Sequence, residues 1–337
     1  MKQFFISTIM AIVFIVSGCL FLTPELRQGV ICNEKNIRTI NIADNIYSTY
    51  KIIYNPVKKN IFALSSQKIL IVDTAHFKEK TITYELPGNL PNLIFLRNKF
   101  TIINSGFDVV GGMNEIGKLI WEYPRNPGEV IPYDIEAWKL VDGGVEYYVA
   151  TASRGVHVLN ENGRFLRQIG SGYIAGIEFC KYGKDDAIIA HALPKRQFYI
   201  WDFDGKIKKK LVTKKSFVNF TIINWPGDYN ILVDDGKRFY VLDFNGKILF
   251  ECENGVPIQN LRGTGVYLEK GLKYFAVITS SRLPDSLSIL RIFNPNGEMV
   301  YKEVICRTVA LQAVKDELSD REYLLVGDCK IRKYQMP

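Results

Sequence analysis

The sequence predicts an all-β fold, a seven-bladed β-propeller of four-stranded antiparallel blades whose ring is closed by an N-terminal strand pairing with the C-terminal blade. Three observations predict it. A hairpin signature recurs every forty-odd residues, two further strand-like runs precede each copy, and sustained helical periodicity is absent after residue 36. The propeller is expected to span 37–337.

The hairpins are read directly from the chain. Val156 to Leu166 turns at Gly163, Tyr199 to Ile207 at Gly205, Tyr240 to Phe250 at Gly246 and Leu290 to Val300 at Gly297. Asn-Gly and Asp-Gly supply the positive φ angles that two-residue hairpin turns require. A degenerate copy from Val109 to Trp121 turns at Gly117, and an earlier one, Ile69 to Tyr84, turns through Phe77 to Lys80 without glycine. The turn glycines lie 46, 42, 41 and 51 residues apart, the period of a four-stranded propeller blade. Runs such as Asn92 to Asn98 with Phe100 to Asn104, and Phe220 to Asn224 with Tyr229 to Val233, supply the first two strands of a blade. Six units are then complete. The C-terminus adds three strands, at Thr308 to Val314, Tyr323 to Val326 and Lys330 to Gln335, and Ile37 to Ala43 is free to supply the fourth.

These turn-plus-strand copies resemble quinoprotein-type (pyrroloquinoline-quinone-type) repeats, in which a Gly-Lys pair is followed by an aromatic residue that docks between blades. Trp121, Phe250 and Tyr301 keep the aromatic four residues after the turn glycine, whereas Arg167 and Lys209 occupy that position after Gly163 and Gly205. The resemblance implies the fold and is partial for any one family. WD-repeat relatives stay open, although no Gly-His and Trp-Asp pairing recurs around the lone Trp201-Asp202.

At the N-terminus, Lys2 precedes a charge-free apolar run of thirteen residues, Phe4 to Val16, which leads into Val16-Ser17-Gly18-Cys19. That tetrapeptide resembles the lipobox of bacterial lipoproteins, and the resemblance implies cleavage before Cys19 and acylation of its thiol. Residues 1–18 then form a signal peptide and 19–36 a lipid-anchored tether. The rival reading is an uncleaved anchor, because apolar character continues to Leu22 and the stretch from Phe4 reaches 19 residues. Either way the domain is exported and membrane-held. Two or three acyl chains, at about 0.8 kcal/mol per buried methylene, would hold it firmly.

Export places the other five cysteines, Cys32, Cys180, Cys252, Cys306 and Cys329, in an oxidising compartment. None has metal-ligand spacing. Pairing among Cys32, Cys306 and Cys329 is left open, and Cys180 and Cys252 read as small buried hydrophobes.

The composition, 47% hydrophobic and 23% charged over 337 residues, is that of a folded globular chain. Its net charge of +8 favours anionic neighbours, and export argues against nucleic acid as a partner. The lysine run of Lys206, Lys208, Lys209, Lys210, Lys214 and Lys215 reads as an outer edge strand and its exit loop, where lysine discourages edge pairing.

No catalytic, cofactor or metal residues are assigned. His76, His157 and His191 lack zinc-ligand spacing, His157 reads as a strand histidine and His191 as a hydrogen-bonded core histidine. Gly111-Gly112 reads as a bulged or widened turn inside a hairpin, and Asp234-Asp235-Gly236 as a polar turn rather than a calcium loop. Asp73, Asp202 and Asp243 recur once per blade, as residues bonding their own turns do. Trp138 and Trp225 read as inter-strand packing.

One face of the propeller carries the connections between second and third strands and from each outermost strand to the next innermost. On this register it gathers Arg125, Arg154, Lys195, Arg196, Lys214, Lys215, Arg282 and Arg307, with Glu129 and Asp285 among few acids. Arg125, Arg154, Lys195, Arg196, Arg282 and Arg307 define an expected anionic-ligand face. The functional expectation is a membrane-tethered binding or scaffolding platform for an envelope protein or glycan, without a cofactor, on the periplasmic or cell-surface side. The alternative is a quinoprotein-type or sulfotransferase-type enzyme with its site at the propeller channel, since such sites assemble from separate blades.

Overall fold

The computed structural model describes residues 31–32, 38–43, 51–55, 59–64, 68–73, 79–83, 92–96, 99–105, 109–114, 116–124, 130–193, 196–225, 228–267, 273–281, 288–305, 310–315, 321–327 and 331–335, with 31–43 and 92–105 described by their strand pairing. Among them no helix is long and apolar enough to cross a membrane. The signal-peptide and tether residues, Cys19 included, lie outside the described residues, as do Cys306 and Cys329 and the side chain of Cys32.

Two strands, β1 (Ile31–Cys32) and β2 (Arg38–Ala43), precede a regular series. One sheet holds β3 (Lys51–Asn55), β4 (Asn60–Leu64), β5 (Lys68–Asp73) and β6 (Glu79–Thr83). The next holds β7 (Asn92–Leu96), β8 (Lys99–Ser105), β9 (Val110–Met113) and β10 (Leu119–Tyr123). It is followed by β11 (Pro132–Lys139), β12 (Val145–Thr151), β13 (Val156–Leu159) and β14 (Phe165–Ile169), then by β15 (Ile174–Tyr182), β16 (Asp185–Ala192), β17 (Gln197–Trp201) and β18 (Ile207–Val212). After these come β19 (Phe220–Asn224), β20 (Tyr229–Asp234), β21 (Arg238–Leu242) and β22 (Ile248–Glu253), then β23 (Asn260–Tyr267), β24 (Lys273–Ser280), β25 (Ser288–Phe293) and β26 (Met299–Ile305). The last strands are β27 (Ala310–Lys315), β28 (Glu322–Gly327) and β29 (Ile331–Gln335).

Each sheet is an antiparallel meander in chain order, and the first strand of one sheet lies against the first strand of the next, from β11 through β15, β19 and β23 to β27 and β3. This is an all-β propeller with its first strands innermost. The β2 strand pairs antiparallel with β29, Arg38 opposite Gln335 and Asn41 opposite Arg332. Its predecessor β1 adds a fifth strand to the outer edge of β26. Lys208, Lys209 and Lys210 of the lysine run lie on the outermost strand β18, and Lys214 and Lys215 on its exit loop, as the composition predicts.

The repeated turn is not the two-residue kind. In Asn160-Glu161-Asn162-Gly163 the Gly163 amide donates to the Asn160 carbonyl (2.9 Å), and the strand register shifts between Val158 and Leu159. Gly163, at φ +71°, therefore closes a four-residue turn as a bulge. The Asn160 side-chain oxygen accepts from the Asn162 and Arg164 amides, each at 3.0 Å. Asp202 and Asp243 do the same work in their turns, accepting from Lys206 (2.8 Å) and Lys247 (2.9 Å). The residue four positions after the turn glycine docks on the following sheet whether or not it is aromatic. The Trp121 indole covers Gly163, and Phe250 covers Gly297. Arg167 Nη2 donates to the Phe203 carbonyl (3.0 Å), and Lys209 Nζ to Asn245 Oδ1 (2.5 Å).

Gly111-Gly112 lies within β9 rather than in a turn, opposite a register shift between Leu119 and Trp121, and a Cβ at Gly112 would occupy the space of the Trp121 ring. The hydrophobic core lies between sheets. One cluster joins Tyr148, Val158 and Ile169 to Ile188 and Trp201, with Trp138 on Phe179 and Phe203 at 5.0 and 4.8 Å. Trp225 is likewise inter-sheet, 4.2 Å from Phe275. Burying each such side chain contributes about 1.5–3 kcal/mol.

Candidate functional site at one end of the propeller axis

Because the first strand of each sheet is also its inner edge, its axis-facing amides have no ladder partner and need another acceptor. Asp134 on β11 meets that need across the sheet boundary, accepting from the Ile177 amide of β15 with one oxygen and from Ile135 with the other, both at 2.9 Å. Gln312 on β27 accepts from the Tyr54 amide of β3 in the same way (2.8 Å).

Around Asp134 the inner strands bring charges together. Lys51 of β3 approaches Glu136 of β11 at 3.6 Å, and Arg262 of β23 approaches Glu178 of β15 at 3.9 Å. Each of these pairs skips one sheet of the chain order, so each spans the axis rather than a single sheet boundary. Thr221 Oγ1 of β19, the strand between, donates to Glu178 Oε1 at 3.0 Å. Burial, and next the charge of Glu136, raises the Glu178 carboxyl to about 7, Arg262 pulling the other way. Burial and Glu136 likewise raise Asp134 to about 6 against the Ile177 amide and Arg262. Both carboxyls are thus held above the usual carboxylate range, at an end of the axis where a quarter of the Glu178 side chain still meets solvent.

Nearer the loops lies an aromatic pair. Tyr133, next to Asp134, is 42% exposed, and its ring centre stands 4.9 Å from that of Tyr173. Burial and the bond to Tyr133 push the Tyr173 hydroxyl up to about 12. Gly172, the preceding residue, forms a backbone bridge with Arg154.

Arg154 and Arg196 are both exposed, on the second-to-third-strand connections of adjacent sheets, the same face as Tyr173. Arg196 Nη1 donates to the Lys214 carbonyl at 3.2 Å. Lys215 is engaged with Tyr240, donating to its hydroxyl at 2.7 Å, and that hydroxyl donates to Asp235 at 2.6 Å. Arg125, Lys195, Arg282 and Arg307 lie outside the described residues.

Asp234-Asp235-Gly236 is a turn: Asp234 accepts from Gly236 and Asp235 from Lys237 and Arg238. His157 is buried and receives or donates a bond with the Tyr123 hydroxyl at Nδ1 (2.6 Å). His191 differs from the hydrogen-bonded core histidine expected. It is 1% exposed, its ring stacks on Phe198 at 4.6 Å, its Nε2 has no partner among the described residues, and burial lowers it to about 4. Cys180 is a buried free thiol, and the half-buried Cys252 places its Sγ 3.5 Å from the Glu253 carbonyl. Among the described residues no group of three or more His, Cys, Asp or Glu side chains is arranged to hold a metal.

The fold is a β-propeller similar to that of virginiamycin B lyase. The enzyme from Staphylococcus aureus superposes with a TM-score of 0.60 at 14% identity, covering 90% of this chain and 99% of that one. A streptogramin B lyase gives 0.62 at 13% identity, over 89% and 98%. BBS1N in complex with ARL6DN gives 0.60 at 10%, over 88% and 97%. Likeness at these identities establishes the propeller alone, a fold shared by lyases and by a protein seen with a protein partner. No protein-family model and no curated protein matches the chain.

Sequence reading did not single out Lys51, Asp134, Glu136, Glu178 or Arg262. A signal was present: a charge interrupts an inner strand in Ile135-Glu136-Ala137, Ile177-Glu178-Phe179 and Leu261-Arg262-Gly263.

Proposed function

We propose that the chain is an exported lipoprotein held at a membrane through Cys19. Its seven sheets close into a ring through the β2 strand, and it binds an envelope protein or glycan at the loop face that carries Arg154 and Arg196. The observation that supports this most is the gathering of charged side chains from four inner strands beneath the exposed Tyr133 and the half-buried Tyr173 on that same face. Convergent polar groups beside exposed aromatic rings are what a ligand-binding face requires. Charge reversal by Arg154→Glu with Arg196→Glu is expected to abolish capture of the envelope ligand from solubilised membranes, while Cys19→Ser releases the protein from membranes and removes its acyl mass. Retained capture by the double reversal, or an unacylated Cys19 in the wild type, would overturn the corresponding half.

A second reading is an enzyme working at the axis. It is favoured by two neighbouring carboxyls, Asp134 and Glu178, both raised by burial above the usual carboxylate range, as the acid and base groups of active sites are. It predicts turnover whose pH profile loses one limb in Glu178→Gln.

A further inference from the structure

The connection from β19 to β20 and the turn from β21 to β22 lie at the same end of their sheet, opposite the end that carries Arg154 and Arg196. Between them is a recess of about 420 Å³, within the size range of small-ligand sites. Asp228, Tyr229 and Asn230 line it from one side, Asp243, Phe244 and Asn245 from the other, and the exposed Leu249 of β22 completes the wall.

Local bonding fixes which atoms are left for a ligand. Asn230 is 5% exposed, and its Nδ2 donates to the carbonyls of Trp225 (2.6 Å) and Asp228 (3.3 Å). These bonds orient the amide. Its Oδ1 has no partner among the described residues and is not sealed from solvent, so it opens on the recess that Asn230 lines. An acceptor on so buried a side chain calls for a donor. Asp243 bonds its own turn through Oδ1, at 2.7 Å from the Asn245 amide and 2.9 Å from that of Lys247, which leaves Oδ2 with only a 3.5 Å contact to Asn245 Nδ2. Asp228 likewise uses Oδ1, for the Tyr229 amide at 2.7 Å. Neither carboxylate has an ion pair among the described residues. Lys209 of the preceding sheet reaches the rim, where its Nζ is engaged by Asn245 Oδ1 and not by a carboxylate.

The recess thus offers three acceptor oxygens, Asp228 Oδ2, Asp243 Oδ2 and Asn230 Oδ1, two of them on carboxylates. An anion would be repelled. A divalent metal is poorly served, because among the described residues no three carboxylates, histidines or cysteines gather to hold one. The rest of the lining is apolar or aromatic. Phe244, set by an edge contact with Tyr182 at 5.7 Å, stands with Tyr229 and Leu249 as a wall for a carbon stem, and aromatic rings favour a cation at its end.

We propose that this recess binds an organic cation, a primary ammonium or guanidinium group on a short apolar stem, as a basic side chain or a small amine carries. Asp228, Asp243 and Asn230 accept its N–H groups, and the stem lies along Phe244 and Leu249. The site is separate from the loop face and does not depend on how that face is read.

The test follows the side-chain amides of Asn230 and Asn245 by NMR in the whole folded chain. Butylammonium and butylguanidinium are titrated beside butanol and butyrate, which keep a short stem without the positive charge. Both cations are expected to shift the Asn230 amide saturably, and both controls to bind about tenfold more weakly or less, the worth of one charge-assisted bond. Asp243→Asn removes a charge and keeps the turn, since Asn160 makes the same bonds at the equivalent position. It and Asp228→Asn should each weaken the cations about tenfold and leave butanol unchanged. Asp228, an exposed residue, carries the test alone if Asp243→Asn misfolds. A lysine blocked at both ends that binds as tightly as butylammonium identifies a basic side chain of a polypeptide as the source, and its exclusion identifies a free amine. Butanol binding as well as butylammonium, cation affinity unaltered in both variants, or no saturable shift with either cation would overturn the proposal. Calcium displacing butylammonium at a lower concentration would overturn it in favour of a metal site.

Discussion

Arg262 approaches Glu178 to 3.9 Å across the propeller axis, although the sheet of β19 to β22 stands between theirs in the chain. At that distance, with 43% of the Arg262 side chain exposed, the pair contributes little to stability. It does not offset the burial that raises the Glu178 carboxyl to about 7. The folded chain therefore keeps this proton over a range in which the unfolded chain has lost it, and stability falls as pH rises from the ordinary glutamate range toward 7. Glu178→Gln keeps an oxygen for the Thr221 hydroxyl and removes the charge. It is expected to leave stability unchanged near pH 4 and raise it by about 1–2 kcal/mol near pH 8, discounted for solvent access. Urea unfolding at the two pH values checks this, and a gain independent of pH would contradict it.

His191 gives the opposite slope. Burial lowers its imidazole to about 4, so the unfolded chain takes up a proton first as pH falls, and stability is lost from about 6.5 down to about 4. His191→Phe keeps the stack on Phe198 and the edge contact with Phe220 without a titrating nitrogen. The difference between variant and wild type in unfolding free energy is expected to grow by about 2 kcal/mol in favour of the variant between pH 7 and pH 4.5. A constant difference would show that His191 is not the group responsible.

Elements governed by local rules were legible in the sequence, and contacts between distant inner strands were not. The Gly163, Gly205, Gly246 and Gly297 turns could be placed because a bulge at positive φ selects glycine and the preceding Asn or Asp bonds its own turn. The strand pairing of Arg38–Ala43 with the chain's end followed from counting strands. The pairing of Glu136 and Glu178 was illegible, because their partners Lys51 and Arg262 lie far off in the chain and meet them only once several sheets have packed. Arg167 was read as a departure from an aromatic pattern. In the structure it does the aromatic's work by other means.

That substitution of means is measurable. Arg167 holds Glu146 with two bonds, at 2.7 and 2.9 Å, and the Phe203 carbonyl of the next sheet at 3.0 Å, and it keeps the Glu146 carboxyl below the usual range. Lys209, at the equivalent position, makes one exposed bond to Asn245. Arg167→Ala is expected to cost about 2–3 kcal/mol, since it leaves a largely buried carboxylate without its partner. Lys209→Ala should stay within about 0.5 kcal/mol. Equal costs in denaturant titration would show that the docking position is energetically neutral.

Gly163 and Gly143 separate backbone strain from crowding. Both lie at positive φ, +71° and +86°, where an alanine costs about 1–2 kcal/mol whatever its surroundings. A Cβ at Gly143 meets nothing within 4 Å, whereas at Gly163 it falls inside the Trp121 indole of the preceding sheet. Gly143→Ala should therefore show the backbone cost alone. Gly163→Ala adds overpacking of about 1–3 kcal/mol, because the indole is wedged between Gly163 and Gly112 and cannot shift freely. Adding Trp121→Leu to Gly163→Ala should recover that added part. The double-variant cycle then gives a favourable coupling between two residues on different sheets, and a coupling of zero would mean that the ring does not rest on the turn.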